Sequence, residues 1–266
     1  MAETTVLDFA HAAMTAAPDD GAARLRFYHR LADSELLLLL EGDPQGDAIT
    51  PAIFTLEAGR FVMAFDRDDR LAAFCDAPAP YAALPGRVIA AELAGQGLGL
   101  GLNLGVAPSA ILLPAEAVDW LAGTLTQGPT PDDARPTGFA PPEGLAPGLM
   151  QALADALAPF GGLARRAHLA RARYDGGREG HLLAIEAARP GAEEALARAV
   201  HEALVFSGAG DEIIDVTFVA KGDAALAALA GVALVLDLPE PEPEPEPEPA
   251  APAAPGMDPA RPPRLR

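Results

Sequence analysis

The chain has 266 residues, half of them apolar but only 5% aromatic, and 38 acidic against 19 basic side chains give it a formal charge of −19. That balance excludes nucleic acid as a partner, since a phosphate backbone needs clustered cations, and argues equally against an anionic membrane surface. A lone cysteine, Cys75, excludes an intrachain disulfide and a cysteine-built zinc site, and no apolar run nears the roughly 18 residues of a bilayer span.

The N-terminus, Met1 to Phe9, has neither a basic nor an apolar signal-peptide region, so a reducing, cytoplasmic setting is expected. Lys221 is the single lysine, which points to a GC-rich coding background; the abundance of arginine and alanine therefore carries no chemistry.

Residues 1–126 read as a first domain of mixed α and β. Val6, Ala10, Ala13 and Met14 have helical spacing, and a second helix is predicted over Gly21 to Ala32 with Asp19 or Asp20 as its N-cap. Leu36 to Leu40, closed by Glu41-Gly42-Asp43-Pro44, is a strand buried on both faces. Ile53 to Glu57 and Arg60 to Phe65 form a hairpin across Ala58-Gly59. Helices follow around Arg70 to Phe74, Pro85 to Leu93 and Pro114 to Leu121.

Residues 127–147 hold six prolines and read as a linker. In the second domain, 148–238, a helix from Leu149 to Ala158 precedes a hairpin of Ala164 to Tyr174 and Gly180 to Ala187 around Asp175-Gly176-Gly177-Arg178. An amphipathic helix over Ala192 to Phe206, a strand over Ile213 to Val219, a helix over Asp223 to Leu229 and a strand over Val232 to Leu238 complete it. The fold class is α+β: two small mixed-sheet α/β sandwich domains, the second ferredoxin-like or related. Residues 239–266 hold eleven prolines, with strict Pro-Glu alternation from Pro239 to Pro249, and are expected to form a disordered or extended tail.

Catalytic motifs are weak. With Gly176-Gly177 at the turn, His168 opposes Ile185 and His181 opposes Ala172, on one face but about 13 Å apart, too far for a shared metal. Phe206-Ser207-Gly208-Ala209-Gly210 follows a helix and reads as its C-cap rather than a nucleophile elbow. Cys75 precedes Asp76, which raises a thiol pKa, and has no basic neighbour to lower it. Asp66-Arg67-Asp68-Asp69-Arg70 lacks the glycine of a calcium loop and reads as a solvated connection with Asp66 or Asp68 capping. No metal, cofactor or catalytic site is assigned.

Gly97-Leu98-Gly99-Leu100-Gly101-Leu102-Asn103-Leu104-Gly105 is the most unusual stretch. As a strand it puts leucines on one face and glycines on the other, where something can approach the backbone closely. Gly97, Gly99, Gly101, Asn103 and Gly105 form the candidate contact surface. A helix of the same domain packing there is the structural alternative.

The glycine-leucine strand belongs to a wider pattern: Phe61-Val62-Met63-Ala64-Phe65-Asp66, Asp69-Arg70-Leu71-Ala72-Ala73-Phe74, and Ile111-Leu112-Leu113-Pro114. Gly162-Leu163-Ala164-Arg165-Arg166-Ala167-His168-Leu169, Gly180-His181-Leu182-Leu183-Ala184 and the helix after them form a second one. Through these the chain resembles the SseB family, named for enhanced serine sensitivity, in its N-terminal and C-terminal domains. The family usually has Asn-Pro-Gly where this chain has Asn103-Leu104-Gly105. The resemblance implies a cytoplasmic bacterial protein with no established reaction. The expected role is non-catalytic, through a protein partner or self-association, with molecular details unassigned. The alternatives are a sulfur or amino-acid enzyme using Cys75, and a regulatory module binding a small metabolite between the two domains.

Overall fold

The computed structural model describes residues 3–43, 49–75, 77–132, 134–209 and 212–239. The expected Pro-Glu tail lies, beyond Pro239, outside them. The first domain starts with two helices, α1 (Val6–Ala16) and α2 (Gly21–Asp33). Thr5 and Asp8 cap α1 reciprocally, and the Asp20 carboxylate accepts from the Ala22 N–H at the start of α2. The α1 face differs from the spacing expected: Leu7 is buried while Val6 and Phe9 are exposed.

Strands β1 (Glu35–Leu39), β2 (Ile53–Leu56), β3 (Gly59–Phe65), β4 (Tyr81–Pro85), β5 (Gly99–Leu102) and β6 (Ile111–Leu113) form one mixed sheet in the order β4-β1-β3-β5-β6, with β2 alongside β3. The β2–β3 hairpin forms, but its turn is Glu57-Ala58 instead of the expected Ala58-Gly59, since Leu56 pairs with Gly59. Strands β4 and β6 were not foreseen.

Alternating residues divide the sheet into two packed faces. Leu36, Leu38, Val62, Ala64, Leu100 and Leu102 face a large core. That core is closed by α1, α2, α4 (Gly86–Leu93) and α5 (Ala115–Thr126). Leu39, Phe61, Met63 and Phe65 point the other way onto α3 (Asp68–Cys75). The five-leucine run is thus buried from both sides, as a central strand of this kind demands.

The expected linker is not wholly irregular. Within it β7 (Pro136–Ala140) pairs with the next strand through a register shift between Pro136 and Gly138, an edge position where proline costs no ladder bond.

The second domain runs α6 (Leu149–Leu157), β8 (Arg166–Tyr174), β9 (Glu179–Glu186), α7 (Glu193–Ser207), β10 (Ile214–Val219), α8 (Ala224–Leu229) and β11 (Leu234–Asp237). Its sheet order is β10-β9-β8-β11, with β10 parallel to β9 across α7. This is an α+β relative of the β-α-β-β-α-β arrangement, not that arrangement itself. Helices α6 and α7 cover one face through Leu149, Leu153, Leu196 and Val200, and Leu229 of α8 packs on the other.

The β8–β9 register is one residue from expectation: His168 pairs with Ala184 and His181 with Arg171. The single-turn 3-10 segment Asp175–Gly177 shifts the ladder, and with a side-chain period of two that shift puts the two histidines on opposite faces.

Candidate functional site

The glycine strand lies inside the first sheet. Gly99 pairs with Phe61 and Gly101 with Met63 across the parallel β3–β5 ladder. A Cβ on Gly99 would meet the Phe61 ring at 2.5 Å and the Leu113 carbonyl oxygen at 2.6 Å, and one on Gly101 would meet the Met63 sulfur at 2.4 Å. Neighbouring side chains of β3, rather than a helix or a partner, fill the glycine face. Gly99, Gly101 and Asn103 are buried, and of the five candidate contact residues Gly97 and Gly105 are exposed. This fold therefore offers no surface through Gly99, Gly101 or Asn103.

Asn103 instead closes a buried polar network. With φ of +48° it takes the left-handed conformation that asparagine tolerates. Its side-chain oxygen accepts from the Asp66 N–H at 3.2 Å, and its amide donates to Ser109 Oγ at 2.9 Å. Ser109 Oγ donates in turn to Asp8 at 2.5 Å, and Arg70 bridges Asp8 and Asp66 at 2.5 and 2.8 Å. Burial alone would raise the Asp8 pKa, but bonds from Arg70, Ser109 and the Thr5 backbone hold it well below the usual carboxylate range. The expected solvated loop at Asp66–Arg70 is corrected: Asp66 and Arg70 are interior partners that tie α1 to the ends of β3 and β5.

A cavity of about 760 Å³ opens between the domains, walled by α2 and Arg87 of α4 on one side and by α6, α7 and Pro159-Phe160 on the other. Helices α6 and α7 run antiparallel. Ala146, just before α6, donates to Glu212 beyond α7, and Arg189 before α7 donates to the Leu163 carbonyl beyond α6. Their small residues Ala152, Ala156, Ala195, Ala199 and Ala203 leave the space open, and Phe160 and Phe206 add apolar wall.

Charged groups meet across this cleft. Arg87 of α4 grips both oxygens of Glu202 on α7 at 3.1 Å and also donates to Asp33 of α2. His29 lies 3.4 Å from Asp33 and 3.8 Å from Glu202, stacked on Phe206 with ring centroids 4.9 Å apart. Burial pushes the Glu202 pKa up, but His29 and Arg87 outweigh it and bring the value to about 2. Further along, Arg30 of α2 reaches Asp155 of α6 at 3.0 Å.

His29, Asp33 and Glu202 are the one group of three or more potential ligand side chains close enough to hold a metal ion among the described residues, their atoms within 4.8 Å of one another. Arg87 already occupies both carboxylates, and a divalent ion would have to displace a guanidinium that repels it. The donor set fits an ionic clamp between domains better than a metal centre.

The remaining candidates are dispersed. Cys75 ends α3 in the small core around Phe65 and Leu71. His168 is buried on the second sheet, 3.3 Å from Glu186, and His181 faces the Glu143 carbonyl oxygen at 3.2 Å. Ser207 Oγ donates to the Leu204 carbonyl, and Gly208 takes φ of +81° to end α7, the C-cap expected from the sequence. Sequence reading did not bring the cleft residues together, because they pair between helices 54 or more residues apart in the chain.

Residues 10–120 match the family described as SseB protein N-terminal domain. The first domain of the chain is thus similar to the SseB N-terminal domain. The matched segment spans α2 and α4, so the SseB-like domain supplies one wall of the cleft, with Arg26, His29, Arg30, Asp33 and Arg87. The opposite wall comes from residues beyond the match. Neither a curated protein nor a solved structure matches the chain. Among the described residues no helix is long and apolar enough to cross a membrane.

Proposed function

We propose that this protein is a non-catalytic binding module of the SseB type that takes up a small metabolite between its two domains. The observation that carries this reading is the cleft of about 760 Å³, which falls within the size range of small-molecule sites and combines an apolar wall with a few charged groups. Both domains contribute charged groups to it, so a ligand bound there bears on how they sit together. The protein partner or self-association expected from the sequence is then the output of the cleft, in a reducing cytoplasm that suits a single cysteine.

Thermal shift of the full chain against a metabolite panel tests this. A ligand at about 100 times its Kd stabilises by about 2.7 kcal/mol, a rise of several degrees for a protein of this size. Ala199→Trp fills the cleft and is expected to abolish the shift while circular dichroism stays unchanged. A panel without any hit specific to the unmodified cleft removes the reading.

A further inference from the structure

We infer that the ligand of the cleft is an organic oxyanion, a carboxylate or phosphate monoester on an apolar body, recognised by Arg26, Arg30 and Arg198. This rests on the cleft reading above and adds the chemistry of the ligand.

Placement is the first argument. The whole chain has twice as many acids as bases, 38 against 19. The cleft lacks that acidic excess: four arginines, Arg26, Arg30, Arg87 and Arg198, balance four carboxylates, Asp33, Asp155, Glu194 and Glu202. Coding bias accounts for how many arginines the chain has, not for their gathering on one concave surface.

Donor supply is the second. Both oxygens of Glu202 are taken by Arg87, and those of Asp155 by Gln151 at 2.8 Å and Arg30 at 3.0 Å. A guanidinium, by contrast, carries five N–H donors. Among the described residues Arg30 and Arg198 each bond a single carboxylate, Asp155 and Glu194, and Arg26 touches Asp20 only at 3.5 Å. The cleft therefore has donors to spare and its key acceptors spoken for, which favours an acceptor-rich ligand over a cation.

Exchange is the third. The side chains of Arg26, Arg30 and Arg198 remain between 46% and 55% exposed, and their partners are exposed too. Such pairs are worth about 0–1 kcal/mol and yield to a ligand oxyanion that accepts two parallel N–H bonds. The start of α6 adds to this. Gly148 lines the cleft, no side chain caps that helix, and its first turn holds no acid, so its positive end is open to an anion. The wall of Ala152, Ala156, Ala195 and Phe160 selects an anion with an apolar body over a bare inorganic one.

Asp155 is the internal competitor. It holds Arg30 across the cleft, so a bound oxyanion must take Arg30 from it. A residue that merely stabilised the cleft would weaken binding when changed; Asp155→Asn is expected to tighten it.

The experiment is calorimetric titration of the full chain at fixed ionic strength with benzoate, phenyl phosphate, inorganic phosphate, benzyl alcohol and benzylamine. Benzoate or phenyl phosphate is expected to bind, and their ratio identifies the carboxylate or phosphate source. Arg30→Gln and Arg198→Gln should each weaken that binding about tenfold or more, the loss of one charge-assisted hydrogen bond. Asp155→Asn should strengthen it a few-fold, and inorganic phosphate should bind more weakly than either aryl anion. All three sites are exposed, so circular dichroism should show intact folds. If benzyl alcohol or benzylamine binds as well as the anions, and Ala199→Trp removes that binding, the anion inference falls while the cleft reading stands. If the anions bind but neither arginine variant weakens them, or if no probe binds at all, the inference is overturned. In the last case the metabolite panel decides the cleft reading separately.

Discussion

At single positions, the glycines of β5 show what alternation reveals and what it hides. The period-two reading separates leucines from glycines, but it cannot name what covers the glycines, because Phe61 and Met63 arrive by parallel pairing from 38 positions earlier. The two glycines are also unequal. A methyl on Gly101 meets the flexible end of Met63, which can swing aside. On Gly99 it meets a backbone carbonyl of β6 that cannot. Gly99→Ala is expected to destabilise by about 1–3 kcal/mol and Gly101→Ala by clearly less, measured by urea unfolding. Equal losses would mean that the Leu113 carbonyl is not the obstacle. At Asn103 an alanine keeps the strained left-handed backbone and drops the bonds to Asp66 and Ser109. Asn103→Ala should cost about 1–3 kcal/mol in the same assay.

Among elements, α7 was legible on one side only. Its spacing identifies Leu196, Val200, Ala203 and Leu204, which do line the second domain's core. Nothing in that pattern shows that Phe206 belongs to the first domain's core, beside Phe27 and Leu31, because a helix that serves two cores looks simply more apolar. The short strands β4 and β6 escaped for a related reason: three to five residues give too little periodicity to separate a strand from a loop. The two-core role makes an asymmetric prediction. Phe206→Ala should cost about 3–5 kcal/mol, and the lost hydrogen-exchange protection should appear in β3 and β5 of the other domain. Leu196→Ala, in the same helix, should cost about 2–5 kcal/mol and leave those strands protected. If both variants expose the same amides, the two cores do not act as separate units.

Across the whole molecule, the clamp of Arg87 with Glu202 and Asp33 links the domains, and its dependence on pH has a definite sign. The charged groups that face Glu202 are His29 and Asp33 from α2 and Arg87 from α4. Its carboxyl has an ordinary pKa of 4.5 in the unfolded chain and about 2 in the fold. A lowered folded value means that the unfolded state binds the proton first, so this contribution is complete above about pH 4.5 and fades as pH falls toward 2. Asp8 and Glu186, also held low in the fold, lose stability in acid too, so wild type alone does not isolate the clamp. The difference between wild type and Arg87→Gln does. Without the guanidinium, burial is opposed by His29 alone and the folded pKa of Glu202 rises. Arg87→Gln should therefore be less stable by about 2 kcal/mol near neutral pH, with the gap closing as both proteins approach pH 2. Denaturant unfolding at a series of pH values measures that gap. A gap that stays constant from pH 7 down to pH 2 would show that Arg87 contributes packing alone, and that the charge on Glu202 does not hold the domains together.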